Sequence, residues 1–194
     1  MTKLTIAINA GGKSSRMGTD KSFINFNGKP MIEGIIERLA GLGDEMILIT
    51  NNQTDYAHLG LPIFGDIYED HGPLAGIQTA VFHAQHPHTL MIACDMPWLN
   101  RDLLTYMISR KETADIIVPR WQKFPEPMHA IYSKACLPAI EADLDAKLLK
   151  IIGFYRNVSV NYVERDVIER FDGNGRSFAN VNTPKDLARE KNRE

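Results

Sequence analysis

Three glycines and three basic side chains crowd into one short stretch of this chain, Ala10-Gly11-Gly12-Lys13-Ser14-Ser15-Arg16-Met17-Gly18-Thr19-Asp20-Lys21, directly after an apolar run. Residues without bulk let backbone N–H groups come close to an anion, and Arg16 and Lys21 can neutralise the charge of a triphosphate. The stretch reads as a phosphate-handling loop whose working parts are the backbone of Ala10, Gly11 and Gly12 and the side chains of Arg16 and Lys21. Neither Gly-x-x-x-x-Gly-Lys-Ser/Thr nor Gly-x-Gly-x-x-Gly can be laid on it. A glycine pair after a strand also serves as a plain turn.

A second set of candidates is acidic or amidic. Asp95 closes the run Ala93-Cys94-Asp95-Met96-Pro97, and a carboxylate at a strand's carboxyl end can hold Mg2+ against a phosphate. The same residue can equally start a turn or cap a helix near Asn100. Asp66 precedes Asp70-His71-Gly72-Pro73-Leu74-Ala75-Gly76, where Gly72-Pro73 opens a helix with proline at a position whose N–H is not needed. Asp70 suits the positive end of that helix. Asn180 and Asn182 lie i and i+2 on an extended segment and share a face, while Thr183-Pro184 reads as an N-cap and first helical residue, with Asp186 completing a box-like cap. Asn51 and Asn52 follow a strand, where a turn accounts for them. Six histidines form no ligand pair on a helix face, and the two cysteines, Cys94 and Cys136, have no metal-type spacing, so zinc and disulfides lack support and both thiols are expected in the core.

These side chains need a scaffold, and the hydrophobic pattern supplies one. Strand-like runs fall at residues 5–10, 45–50, 62–64, 89–93, 116–119, 128–132 and 158–163, and helix-like segments at 31–42, 73–85, 100–110, 134–144 and 184–190 separate most of them. Strands alternating with helices predict an α/β fold, a doubly wound, mostly parallel sheet with helices on both faces and a ligand crevice at the carboxyl ends of the strands. Residues 121–127 are rich in turn formers and are expected as an exposed loop over the sheet edge. At 194 residues with 44% hydrophobic content and no linker or repeat, one domain spanning 1–194 is expected. The net charge of −2 provides no basic stripe for a nucleic acid partner. The N-terminal apolar run is too short for a membrane span or signal peptide, which predicts a cytosolic protein.

The glycine-rich loop, with Ser14-Ser15-Arg16-Met17-Gly18 and Asp20-Lys21, resembles the signature loop of the sugar-nucleotide-transferase-like nucleotidyltransferases and, within them, of the molybdenum cofactor guanylyltransferases. Their pattern is Leu-Ala-Gly-Gly followed by Ser/Ala-x-Arg-Met-Gly-x-x-Lys; Asn9 stands here where an aliphatic residue is usual, so its contact would be through backbone. The resemblance extends in order and spacing through Gly72-Pro73-Leu74-Ala75-Gly76, Asp95 with Pro97, and Asn180-Val181-Asn182-Thr183-Pro184. It implies a Rossmann-like nucleotidyltransferase that moves GMP from GTP to the phosphate of molybdopterin, with Mg2+ as cofactor and Asp95 as its ligand. The same resemblance assigns Arg16, Lys21 and Asp95 to catalysis. To the nucleotide and its metal it assigns Asn9, Ala10, Gly11, Gly12, Lys21, Asn51 or its neighbour Asn52, Asp66, Gly76, Asp95, Asn180 and Asn182. It also implies transient contacts with other proteins of cofactor biosynthesis. Pro125-Glu126-Pro127-Met128-His129-Ala130 resembles the strand that faces the pterin, with Glu126 where glutamine is frequent. Two rivals stay open at this level: a CTP-dependent transferase acting on the pterin or on a sugar or polyol phosphate, and a non-catalytic nucleotide-binding regulator, against which the presence of Lys21 and Asp95 speaks.

Overall fold

Leu4–Asn9 (β1) has all six residues buried, the mark of a strand covered on both faces by helices rather than one with a wet side. It lies between Glu45–Ile49 (β4) and His88–Ala93 (β6), parallel to both, with Ile6 opposite Met46 and Leu90. The computed structural model describes residues 3–11 and 21–191. Its main sheet has seven strands in the order β5-β4-β1-β6-β8-β7-β9, where β5 is Ile63–Phe64, β7 is Ile116–Arg120, β8 is His129–Ser133 and β9 is Val160–Glu164. Among the described residues β8 alone runs antiparallel to its neighbours β6 and β7. The sheet is the mostly parallel one expected.

Alternation along the strands divides the core in two. Leu4, Ile6 and Ile8 point to a layer shared with Met31–Leu39 (α1) and Arg101–Ser109 (α4), whereas Ala7, Ile47 and Met91 point to a layer shared with Pro73–His83 (α3) and Leu137–Asp145 (α5). Met31, Ile32, Ile35 and Leu39 recur at helical spacing and form the buried stripe of α1. That helix stops at Leu39, short of the expected 42, because Ala40 turns extended and Gly41 takes φ +77°. α4 starts where Asn100 predicted: its Oδ1 accepts from the amides of Asp102 and Leu103, each at 3.0 Å.

Two departures from the sequence reading matter. A small hairpin, Asn25–Phe26 (β2) and Lys29–Pro30 (β3), turns at Asn27-Gly28 with φ +54° and +90°; an Asn-Gly pair is the expected signature of such a turn. Residues 121–127 are only partly exposed. Trp121 packs beside Phe178, its ring centroid 6.3 Å away, and under the guanidinium of Arg165 at 4.8 Å. Gly175, at φ +65°, is required there, since a Cβ would lie 2.0 Å from the indole. Cys94 and Cys136 are buried thiols as expected, and burial pushes Cys136 up to about 12.

Candidate active site

The chain leaves β1 toward β4 on one side and reaches β6 on the other, so the carboxyl ends of β1 and β6 flank the point where the winding reverses, the place where open α/β sheets take ligands. A cleft of about 280 Å³ opens there, bordered by Asn9, Gly11, Lys21, Asp95, Glu126 and Asn180. Three sequence-distant motifs meet at its floor. Lys21 Nζ lies 2.6 Å from Asp95 Oδ2 and 3.1 Å from Asn182 Oδ1. The backbone explains the meeting: Val181 N donates to Asp95 O at 2.8 Å, which docks the 180–182 segment on the end of β6, and Cys94 N donates to Asn9 O at 3.0 Å, which joins β6 to the start of the glycine loop. Lys21 begins a short helical turn whose next residue, Ser22, is buried and accepts a hydrogen bond from Tyr56 Oη at 2.8 Å. That anchor was not read from the sequence; a serine after a lysine carries no distinctive pattern.

On the β4–β5 side the polar groups satisfy one another. Asn9 is buried, its Oδ1 accepting from Gly11 N at 3.1 Å, and its amide group packs 3.3 Å from where a Cβ on Gly76 would stand. A side chain at 76 would therefore meet Asn9 in a tight contact. Asn51 and Asp66 exchange two hydrogen bonds: Asn51 Nδ2 donates to Asp66 Oδ2 at 3.0 Å, and Asp66 N donates to Asn51 Oδ1 at 2.7 Å. Partial burial raises the Asp66 carboxyl above its usual range, and the bond from Asn51 opposes that rise. Asn52 bonds to Asp55, so Asn51 is the member of the pair that meets Asp66, and neither Asn51 nor Asp66 is among the residues that border the cleft.

One expectation needs correction. Ala10 N donates to Ile49 O at 2.9 Å, continuing the β1–β4 ladder by one residue, so its amide is not available to an anion. Gly11 N is the first amide after it, and it donates to the side chain of Asn9 rather than to backbone. Gly12 and Arg16 lie outside the described residues. Asn180 borders the cleft and Asn182 reaches Lys21, in keeping with one shared face.

On the β8 side the arrangement is less complete. Glu126 precedes β8, and its backbone is fixed by Glu126 N donating to Pro119 O at 2.9 Å and by accepting from His129 N at 3.0 Å. Loss of water raises its carboxyl above the usual range, and no opposing interaction acts on it among the described residues. His129 is fully buried with neither ring nitrogen hydrogen-bonded among the described residues, and burial lowers its pKa to about 4, partly offset by Asp172.

A metal fits the floor of the cleft. The carboxylate of Asp95 and the amide oxygen of Asn182 converge on one cation, here the ammonium of Lys21. Such oxygen donors suit Mg2+, which typically takes one or two carboxylates and completes its shell with phosphate and water. Among the described residues no cluster of three or more His, Cys, Asp or Glu side chains could hold an ion by itself.

The family model described as the MobA-like NTP transferase domain matches residues 6–159. The chain belongs to this family. A relative from Clostridium perfringens named "Probable molybdenum cofactor guanylyltransferase" is 38% identical over 186 residues, covering 94% of this chain and 93% of that protein. A Vibrio parahaemolyticus protein named "Molybdenum cofactor guanylyltransferase" is 35% identical, covering 96% of this chain and 94% of its own length. The crystal structure of molybdopterin-guanine dinucleotide biosynthesis protein A from Archaeoglobus fulgidus superposes with a TM-score of 0.82 at 25% identity, over 96% of each chain. As a MobA-like NTP transferase, the chain carries nucleotidyltransferase chemistry, and the matched residues contain both Lys21 and Asp95. The segment 180–182 lies beyond the matched residues and joins the site through the Val181–Asp95 bond. No helix among the described residues is long and apolar enough to cross a membrane.

Proposed function

We propose that this chain transfers GMP from GTP to the terminal phosphate of molybdopterin, or of its molybdenum-bearing form, with release of pyrophosphate, in the cytosol and with Mg2+ as cofactor. The observation that carries the reading is the meeting of Lys21, Asp95 and Asn182 at the strand ends, beside the amide of Gly11; the names of the relatives supply the two substrates.

The acceptor is a phosphate whose oxygens are already negative at neutral pH, so no protein base is required. One oxygen attacks the α-phosphorus of GTP, a new P–O bond forms in line, and the bond from the α-phosphorus to the bridging oxygen breaks as pyrophosphate leaves. The task left to the chain is to position two anions and balance their charge. Lys21 neutralises the triphosphate, Arg16 adds a planar fork for the same purpose, and the amides from Gly11 onward cradle the phosphates. Asp95 and Asn182 would hold Mg2+, which when bound supplies charge neutralisation across the reacting phosphates. Before substrate arrives, Lys21 occupies Asp95, so nucleotide and metal are expected to enter together: the triphosphate draws the ammonium away and frees the carboxylate. On the nucleotide side, Asn51 and Asp66 would meet the base and ribose, and Gly76, packed against Asn9, would lie close to the nucleotide.

Calorimetric titration with GTP, CTP and ATP, each with and without Mg2+, followed by pyrophosphate release in the presence of molybdopterin, tests the reading. Tight binding of GTP with Mg2+ and turnover with the pterin are expected. A preference for CTP would keep the mechanism and replace the substrate, and absence of nucleotide binding would overturn it.

A further inference from the structure

The segments that carry Lys21 and Asp95 are joined twice. The outer link is the contact of the two side chains themselves, 2.6 Å between ammonium and carboxylate at the cleft. One residue along each segment lies an inner link, where Ser22 Oγ donates to Cys94 Sγ at 3.3 Å. Ser22 in turn accepts from Tyr56 Oη at 2.8 Å, and Tyr56 ends Gln53–Tyr56 (α2), the short helix that follows β4. Ser22 and Tyr56 are wholly buried and Cys94 is nearly so. Three segments far apart in sequence therefore meet in one buried hydrogen-bonded chain next to the floor of the cleft.

Packing alone does not call for these polar groups. The Tyr56 ring lies 5.1 Å from the ring of Phe23 and belongs to the apolar core, whereas burying a hydroxyl carries a cost that its hydrogen bond does little more than offset. What the chain adds is direction. A serine hydroxyl has a single proton, and with Tyr56 donating to the oxygen that proton is directed to the Cys94 sulfur, which sets the distance between the two segments. The inner link matters most once nucleotide is bound, because a triphosphate that draws Lys21 away opens the outer link and leaves the inner one closed. We propose that Tyr56 is a positioning residue for the transfer step: through Ser22 and Cys94 it keeps Lys21 and Asp95 at their working separation after the substrate has parted them. The proposal rests on the reading that Lys21 and Asp95 meet the reacting phosphates.

The test compares the wild type with Tyr56→Phe, Ser22→Ala and the double variant. Pyrophosphate release is followed with molybdopterin and the nucleotide that the wild type turns over, well below the melting transition of every protein, and each melt is recorded. Tyr56→Phe keeps the ring and removes only the hydroxyl, so its melting temperature should stay within about 5 °C of wild type. Its kcat should fall about tenfold with the nucleotide KM within about twofold, the pattern of a lost transition-state alignment rather than of lost binding. Ser22→Ala should do the same. The double variant should lose about tenfold rather than about a hundredfold, because the two hydroxyls act as one link. An unchanged kcat in Tyr56→Phe would overturn the proposal, as would losses that multiply in the double variant. A raised nucleotide KM with kcat retained would place Tyr56 in binding and overturn it too. A wild-type protein that releases no pyrophosphate would remove the transferase reading and the positioning role with it, a result visible before any variant is made.

Discussion

The two flanks of the cleft are built to different standards of completeness. On the β4–β5 flank, Asn9 bonds to Gly11, Asn51 to Asp66, and α3 packs against Asn9 through a bare glycine, so polar groups are paired and backbone approaches are tight. On the β8 flank, Glu126 and His129 have no hydrogen-bonded side-chain partner among the described residues, and the segment before β8 is held by backbone bonds and by Trp121 wedged against Gly175. A paired flank is preorganised and costs little to use, which suits the half of the reaction shared by every NTP transferase. An unpaired flank holds desolvated groups that a ligand's donors could satisfy. The difference teaches that paired and unpaired polar groups can stand on opposite sides of one cleft, separated by β1 and β6.

The largest expected effect is at the floor between the flanks. Asp95→Ala should lower turnover by about 1,000-fold or more, because the carboxylate proposed to hold Mg2+ against the reacting phosphates is lost. The fold should survive, since the bond that docks the 180–182 segment uses the backbone carbonyl of Asp95 rather than its side chain. Pyrophosphate release and a thermal melt check both halves; an enzyme with normal rates would remove the assigned role. Next in size is a pH effect confined to the β8 flank. His129 has a folded pKa of about 4 against an ordinary value of 6.5. Above pH 6.5 both states are neutral and the residue contributes nothing to the pH dependence. As pH falls from about 6.5 to about 4 the unfolded chain takes up a proton that the folded chain refuses, and the fold loses roughly 3 kcal/mol. Melting curves across that window should fall for wild type more steeply than for His129→Leu; parallel curves would show that another group carries the acid sensitivity.

How much of this was readable beforehand follows the same division. The parallel strands, the four large helices packed on the sheet and the Lys21, Asp95 and Asn182 motifs come from local pattern, because glycine loops, proline starts and apolar periods are properties of short stretches. The antiparallel direction of β8 was also readable in principle. Eight residues separate Arg120 from His129, too few for the helical crossover that parallel neighbours require. The Asn27-Gly28 hairpin carried its own signature. What was not readable depends on distant partners: that Ala10 gives its amide to Ile49, that Asn9 packs against Gly76, that Asn51 rather than Asn52 meets Asp66, and that Trp121 is packed where a turn-rich loop suggested exposure. No window of sequence contains both members of any of these pairs.

A milder change sharpens the contrast on the paired flank. Asn51→Ala removes both bonds to Asp66 and leaves a half-buried carboxyl without its opposing partner, so its pKa should rise further. GTP affinity should drop about tenfold, worth roughly 1.4 kcal/mol, while affinity for the pterin acceptor is untouched. Equal losses for both ligands would mean that the flanks are coupled and that the division drawn above is wrong.

The smallest effect lies where the third motif is fastened. Thr183 Oγ1 accepts from Asp186 N at 3.1 Å and donates to Asp186 Oδ2 at 2.9 Å, while the amides of Asn182 and Thr183 donate to the same carboxylate oxygen at 3.3 and 3.0 Å. This box caps Pro184–Lys191 (α7). Thr183→Ala should cost about 1 kcal/mol of stability and Thr183→Ser should restore most of it. Turnover should change less than about twofold, because the two amide bonds to Asp186 survive and Val181 still docks on Asp95, so Asn182 keeps its place beside Lys21. A loss of turnover much larger than the loss of stability would mean that Asn182 is positioned by the helix cap rather than by the end of β6.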